Sequence, residues 1–210
     1  MSGGWFPQFE KQLLASLSCP PEYLEKFYLL PTSGSQFYHW NQESESWQNI
    51  YTEKLTAEEK KKILQSIERS LIEADFEKPA QIYGPQIQDR MSQISFSAIG
   101  QDAPLAIKKE FDPDKKKRLA LRVILEKYLP EFQIGIGGAN TIDITRPGVD
   151  KAYGMKKLSE ITGFVFAEMV FVGDDLEEGG NDYPVKAAGI DTIAVIGPEE
   201  AKTVIEKLLA

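Results

Sequence analysis

Residues 170–182, which read VFVGDDLEEGGND, say the most about the fold. A short apolar run ends in Asp174 and Asp175, and open parallel sheets place their ligand crevice at the carboxyl ends of such strands. The two glycines let the chain turn closely, so that Asn181 and Asp182 return more side-chain oxygens to the same place. Clustered carboxylate and amide oxygens without histidine or cysteine suit Mg²⁺. The alternative is an ordinary solvated acidic loop after a strand.

A lysine at a helix start is the second feature with chemical meaning. Lys151 ends the segment RPGVDK, residues 146–151, where a helix is predicted over 150–161. The N-terminus of a helix favours anions, so a cation there is poorly placed for the helix itself. Its position makes sense if Lys151 and the first helical N–H groups together hold a phosphate or a carboxylate. The alternative is a plain surface lysine.

The order of elements after Pro147 predicts a parallel sheet. Helical patterns and continuous apolar runs alternate there, over 150–161, 167–172, 185–188, 190–196 and 198–209. Such alternation is typical of an α/β core whose helices cover both faces of the sheet.

The part before Pro147 has antiparallel character. Residues 36–40 and 47–51 flank a polar turn and predict a hairpin. Strands are also predicted at 27–30, 94–98, 132–136 and 142–144, and helices at 8–17, 55–74 and 114–129. Thr56 and Glu59 form a capping box at the start of the second helix.

Three finer expectations concern this part of the chain. Ser95 and Ser97 alternate with apolar residues, which predicts a strand with one wet face. The run 115–118, KKKR, predicts a solvated helix face. The expected core residues of the third helix are Leu119, Val123, Ile124 and Leu125.

Composition excludes some classes of partner. The chain has 210 residues, 24 Lys plus Arg against 32 Asp plus Glu, and a net charge of -8. This balance argues against nucleic acid, although a local basic pocket can still bind phosphate. The single cysteine allows no internal disulfide and fits a cytoplasmic setting. No apolar run is long enough to predict a membrane span.

The motifs together resemble one superfamily. Two segments are similar to the third and fourth motifs of haloacid-dehalogenase-like enzymes with a type IIB cap. The first is PGVDK at 147–151, and the second is the strand ending in Gly173-Asp174 together with GGND at 179–182. Within them the chain resembles eukaryotic-type phosphomannomutases and related bacterial sugar phosphatases. The resemblance implies an α/β fold: a Rossmann-like parallel-sheet core, incomplete at the N-terminus, with an inserted α+β cap domain. Residues 1–54 would be the first part of the core, 55–146 the cap and 147–210 the second part of the core.

The resemblance also implies roles for nine residues. Three residues would hold Mg²⁺, namely Asp174, Asn181 and Asp182. Of these, Asp174 would be a direct ligand, and the other two would ligate the ion or orient its ligand shell. The catalytic group would neutralise the phosphoryl group and hydrogen-bond a phosphate oxygen, and it consists of Lys151 and Ser2. The group that would bind the sugar or its distal phosphate consists of Gly3, Arg90, Thr141 and Asp143.

Two departures from the family pattern shape the functional expectation. The motif Asp-x-Asp-Gly-Thr, which supplies the nucleophile and the general acid and base, does not occur. The family places it upstream of the Ser-Gly-Gly segment, so we expect an N-terminally truncated form, from a late start or an engineered shortening. Gln101 stands where the mutases carry an arginine, which weakens the grip on a bisphosphorylated sugar.

The expected function is therefore that of a Mg²⁺-dependent phosphohydrolase of sugar phosphates, here inactive. One alternative is a phosphomannomutase that interconverts mannose 6-phosphate and mannose 1-phosphate. Another is a pseudoenzyme that binds a phosphorylated ligand or a partner without catalysis. We also expect a homodimer formed through the cap, and we expect neither nucleic acid nor a membrane as a partner.

Overall fold

The structure, a computed structural model, describes residues 1–209 and divides into two compact units. The first unit is Met1–Val149 and the second is Asp150–Ala210. The finer division of the sequence at 54/55 and 146/147 stays a prediction.

The first unit begins with two helices and a small antiparallel sheet. The helices are α1 (Phe6–Gln12) and α2 (Pro21–Leu24), with a 3₁₀ turn at Leu14–Ser16. The sheet has the order β1-β2-β3, with β1 at Tyr28–Leu29, β2 at Gln36–Asn41 and β3 at Ser46–Thr52. The predicted hairpin is thereby confirmed.

The rest of the first unit is a four-stranded antiparallel sheet with three helices. The elements in chain order are α3 (Ala57–Glu73), β4 (Ile87–Asp89), β5 (Ile94–Ser97), α4 (Leu105–Phe111), α5 (Lys116–Tyr128), β6 (Gln133–Gly137) and β7 (Thr141–Thr145). The strand order is β4-β5-β7-β6. The capping box that starts α3 is confirmed, because Thr56 Oγ1 accepts from the Glu59 N–H at 3.1 Å and the Glu59 carboxylate accepts from the Thr56 N–H at 2.6 Å.

One face of this sheet forms the core with α3 and α5. The buried apolar side chains from the strands and the two helices are Ile94, Phe96, Ile134, Ile142, Ile144, Ile63, Ile67, Leu121 and Leu125. The prediction that Leu119 and Val123 belong to the core is wrong, since they are 44% and 58% exposed. The buried stripe of α5 runs instead through Leu121 and Leu125, four residues apart on one helix face.

The opposite face of the sheet is polar, but the expectation that it is wet is wrong. Ser95 and Ser97 are fully buried. Their hydroxyls donate to the Asp143 carboxylate and to the Gly100 carbonyl, so burial leaves neither of them without a partner.

The second unit carries the predicted alternation of helices and parallel strands, which is thereby confirmed. Its elements are α6 (Lys151–Thr162), a 3₁₀ turn (Phe166–Glu168), β8 (Val170–Gly173), α7 (Tyr183–Ala187), β9 (Asp191–Ala194) and α8 (Pro198–Leu209). Strands β8 and β9 pair in parallel, with Val170 opposite Asp191 and Gly173 opposite Ala194. Asp150 caps α6 by accepting from the Tyr153 N–H at 2.9 Å. Within residues 1–209, every helix falls short of the length and apolar character that a membrane crossing needs.

Candidate functional site

The carboxyl end of β8 is tied to the start of α6 by one buried carboxylate. Asp182 is 1% exposed, and its Oδ1 accepts a hydrogen bond from Lys151 Nζ. Its Oδ2 accepts from the backbone N–H groups of Asp174 and Asp175, both at 3.1 Å. The strand-end argument predicted that Asp182 lies close to Asp174, and the structure adds Lys151, which lies against the same carboxylate within the second unit.

The ammonium group of Lys151 is held from three sides. Besides Asp182, it donates to Asn181 Oδ1 at 2.7 Å. It also lies 6.0 Å from the centroid of the Phe171 ring, where a cation is attracted to the ring face. The Lys151 side chain is only 13% exposed, so its charge is screened little by water. This group of Lys151, Asn181 and Asp182 is called the ammonium cluster below.

The oxygen atoms around the ammonium cluster fit Mg²⁺ in chemical type. Asp174 and Asn181 are exposed, whereas both oxygens of Asp182 already accept from N–H donors. Mg²⁺ commonly uses one or two carboxylates and completes its shell with water and substrate phosphate. Over residues 1–209, no three or more histidine, cysteine, aspartate or glutamate side chains are grouped to hold a metal. The roles of Asp174, Asn181 and Asp182 toward Mg²⁺ therefore stay a prediction.

In the first unit, Arg90 is the centre of the polar sheet face. The residue is 3% exposed, and its Nη1 donates to the Gly3 carbonyl at 2.9 Å. Nε donates to Gln88 Oε1 at 2.7 Å and Nη2 to Gln101 Oε1 at 3.5 Å. Burial lowers the pKa of Arg90, while the charge of Asp143, 3.9 Å from Nη1, works in the opposite direction.

Asp143 and Thr141 line the same face from β7. Burial raises the pKa of the Asp143 carboxyl group, against the effect of Arg90 and of the hydrogen bond from Ser95 Oγ at 2.6 Å. Thr141 Oγ1 donates to the Gly137 carbonyl at 2.8 Å. A Cβ at 137 would lie 2.1 Å from Asp143 Oδ2, so a side chain there would force the carboxylate to move. All four residues predicted to bind the sugar, namely Gly3, Arg90, Thr141 and Asp143, thus share one face.

Ser2 lies on an extended segment held by a strained turn. Its N–H donates to the Leu30 carbonyl at 3.2 Å and its carbonyl accepts from the Ser33 N–H at 2.9 Å. Thr32 and Ser33 have φ values of +48° and +57°, a left-handed conformation that costs a non-glycine residue about 1–2 kcal/mol. The Ser2 hydroxyl accepts from the Gly4 N–H at 3.1 Å. Ser2 belongs to the first unit and Lys151 to the second, so their joint catalytic role stays a prediction.

Two further residues belong to the polar face, and only one of them was predicted to lie there. Gln93, which alternates with apolar residues as the serines of β5 do, donates from Nε2 to the Gly3 carbonyl at 3.3 Å. Lys108 Nζ donates to the Gln101 carbonyl at 2.6 Å, which brings a second cation close to Arg90. Burial lowers the pKa of Lys108. No pattern in the sequence pointed to Lys108.

Comparisons with known proteins agree on a family. The family model for eukaryotic phosphomannomutase matches residues 7–210. A phosphomannomutase of Saccharomyces cerevisiae is 30% identical over 171 residues, which cover 79% of this chain and 64% of that protein. A phosphomannomutase of Spinacia oleracea is 32% identical over 110 residues, which cover 50% of this chain and 42% of that protein.

A solved structure supports the fold. The N-terminally truncated IMP-nucleotidase of Plasmodium falciparum matches with a TM-score of 0.61 at 17% identity, over 95% of this chain and 53% of that one. At this identity the likeness bears on the fold alone. The chain spans less than two thirds of the length of each of these three proteins.

Proposed function

The chain belongs to the eukaryotic phosphomannomutase family, and from that premise we propose that it forms part of a Mg²⁺-dependent phosphohydrolase acting on sugar phosphates. The family is one of enzymes, and the predicted haloacid-dehalogenase-like resemblance is confirmed by the match. The observation that carries the proposal is the ammonium cluster at the carboxyl end of β8, where α/β sheets bind their ligands. Because the relatives are longer, the activity is proposed for the whole protein that contains this chain.

The proposed roles in the second unit follow from charge. Lys151 neutralises phosphoryl oxygens, on which charge develops during transfer. Asp174, with Asn181, holds Mg²⁺, which when bound offsets the same negative charge. Asp182 keeps Lys151 and the backbone of residues 174–175 in place through its three hydrogen bonds.

The proposed roles in the first unit concern recognition of the sugar or its distal phosphate. Arg90 and Lys108 supply positive charge, and Asp143 and Thr141 supply hydrogen-bonding oxygens for hydroxyl groups. Gly3 lies next to them, since a Cβ there would be in ordinary van der Waals contact with Asp143 Oδ2, at 3.7 Å. Ser2, on the same segment as Gly3, donates to a phosphate oxygen in this proposal.

A phosphomannomutase is the second candidate, and the family match favours it. A mutase must hold either end of a bisphosphorylated sugar. Gln101 is neutral and accepts a hydrogen bond from Arg90, which favours the hydrolase over the mutase. Lys108, which donates to the Gln101 carbonyl, supplies a positive charge at this place and favours the mutase. Interconversion of mannose 1- and 6-phosphates by the whole protein would identify the mutase.

The sequence of this chain carries no Asp-x-Asp-Gly-Thr motif, so we expect the 210 residues to bind without turnover. The same observation favours the third candidate, a non-catalytic protein that binds a phosphorylated ligand. A cytoplasmic setting and a homodimer through residues 55–146 complete the proposal. Sedimentation of the chain at a mass near its monomer value of 23.6 kDa would contradict the dimer.

Calorimetric titration with mannose 6-phosphate tests the proposal. We expect binding in MgCl₂ that weakens in EDTA and weakens further in Lys151→Met. The matched control is Lys186→Met, an exposed lysine of the second unit, which should bind as the wild type does. Absence of binding in MgCl₂ would refute the sugar-phosphate assignment, and phosphate release by the 210 residues would refute the expected inactivity.

A further inference from the structure

Arg118 is a buried charge that the roles proposed above leave unused. It ends the run 115–118, which the sequence predicted to be a solvated helix face, yet it is only 5% exposed. Burial of a guanidinium group is unfavourable unless the charge is paired and its donors are hydrogen-bonded. Its contacts therefore identify what the buried charge holds in place.

Asp112 fixes the orientation of Arg118. Its Oδ2 accepts from Arg118 Nε at 2.8 Å and from the Arg118 N–H at 3.1 Å. The Asp112 carbonyl accepts from Arg118 Nη2 at 3.1 Å, and its Oδ1 accepts from the Lys117 N–H at 3.0 Å. Asp112 is itself 2% exposed. The carboxylate thus satisfies N–H groups at the start of α5 and at the same time aims the guanidinium away from the helix.

The remaining nitrogen of the guanidinium group, Nη1, reaches the turn between β6 and β7. Nη1 donates to the Gly137 carbonyl at 3.3 Å and to the Gly138 carbonyl at 3.1 Å. The Gly137 carbonyl also accepts from Thr141 Oγ1 at 2.8 Å. Arg118 and Thr141 therefore share one acceptor, although they lie on different elements.

The same turn sets the space available to the Asp143 carboxylate. Asp143 Oδ2 lies so close to Gly137 that a Cβ there would be 2.1 Å away. A displacement of Gly137 would therefore move the carbonyl group that accepts from Thr141, and it would also change the space next to the Asp143 carboxylate. Both residues belong to the polar face proposed to bind the sugar.

We propose that Arg118, oriented by Asp112, is a positioning residue that fixes Thr141 and Asp143 through the Gly137–Gly138 turn. This inference rests on the proposed function, because it assigns the turn a part in sugar-phosphate affinity. Lysine cannot replace Arg118 here, since its compact ammonium group cannot reach a carboxylate and two carbonyl groups on opposite sides at once.

The test uses Arg118→Lys in the full 210-residue chain with two probes, mannose 6-phosphate and inorganic phosphate. We expect mannose 6-phosphate to bind about tenfold more weakly, the change that corresponds to one lost hydrogen bond to a charged group. Affinity for inorganic phosphate, which in the proposed function is bound by the ammonium cluster, should not change. In a cycle with Thr141→Val, the effects of the two substitutions should not add, because they act through one carbonyl group.

Two control variants separate positioning from general loss of stability. Arg122→Lys changes an exposed arginine of the same helix, paired with Glu126, and should leave both affinities unchanged. Ile67→Val weakens the same core from α3 and should not alter the ratio of the two affinities. Equal loss of affinity for both probes in Arg118→Lys, or wild-type affinity for mannose 6-phosphate, would overturn the proposal.

A second measurement decides the matter if the wild-type chain binds no sugar phosphate, the outcome that refutes the proposed function. In ¹⁵N-resolved spectra, Arg118→Lys should shift the amide resonances of Gly137, Gly138, Thr141 and Asp143, whereas Arg122→Lys should not. Unchanged resonances at these four positions would overturn the positioning role whatever the chain binds.

Discussion

Replacement of Asp182 by asparagine should destabilise the second unit far more than its small change in shape suggests. Asp182 accepts from one ammonium group and two backbone N–H groups while 1% exposed. An asparagine side chain has one oxygen and one NH₂ group. Whichever way it turns, either Lys151 or the pair of backbone donors at 174 and 175 faces another donor.

The structure sets the size of the effect. Removal of one partner of a buried ion pair costs about 3–5 kcal/mol, and a lost hydrogen bond to a charged group about 1.5–3 kcal/mol. Lys151 retains 13% exposure, so water relieves part of the loss. We therefore expect Asp182→Asn to lower the free energy of unfolding by about 2–4 kcal/mol, which is a large part of the usual 5–15 kcal/mol for a domain. Adding Lys151→Met should cost little more, because the unpaired cation is removed with it.

The assay must observe the second unit, because all three tryptophans, Trp5, Trp40 and Trp47, lie in the first. Urea unfolding followed by far-ultraviolet circular dichroism reports on both units, and tryptophan fluorescence on the first alone. Hydrogen exchange of the amides of Asp174 and Asp175 gives a local measure, since both donate to Asp182.

The matched control is Asp191→Asn, an exposed aspartate at the start of β9, for which we expect a change within about 0.5 kcal/mol. A change of that small size in Asp182→Asn would refute the reasoning. So would full additivity of the Asp182 and Lys151 substitutions.

Two further predictions concern the first unit. The hydrogen bond from Arg146 holds the pKa of Glu59 below its usual value, so ionised Glu59 stabilises the fold above the unfolded pKa of about 4.3, and this contribution is lost as the pH falls through the folded pKa. Urea unfolding should show Glu59→Gln less stable than the wild type at pH 7, and the difference in the free energy of unfolding should shrink as the pH is lowered below about 4.3. Gly137→Ala places a Cβ 2.1 Å from Asp143 Oδ2 and should lower the free energy of unfolding by about 1–3 kcal/mol. The control is Gly135→Ala on the same strand, where the atom nearest to the new Cβ is 3.8 Å away, and the loss measured by the same unfolding assay should be smaller.

Features with a local physical cause were predictable from the sequence. The capping box of Thr56 and Glu59 and the hairpin of β2 and β3 depend on residues that are close in sequence. The position of Asp174 beside the GGND loop was predictable for a related reason. A parallel strand delivers its last residues to one edge of the sheet, where the following loop also begins.

Features that depend on distant packing were not predictable. The sequence gives no sign that Arg118, next to three lysines, is buried, because its partner carbonyl groups at 137 and 138 come from a hairpin that meets α5 only in the folded chain. Alternation predicts the position of β5 correctly, but the same pattern predicts that its serines face solvent, and Ser95 and Ser97 are buried. Alternation separates polar from apolar faces, but it does not tell whether another segment covers the polar one.

The bond from Arg118 to the hairpin has a consequence for protein engineering. Helix α5 and the hairpin turn are separate in sequence, but they share a charge that neither can satisfy alone. A chimera that imports α5 from a relative must also import the aspartate before it and the two glycines that receive the guanidinium. Exchange of one of these pieces without the others would leave a buried charge without part of its hydrogen-bond partners.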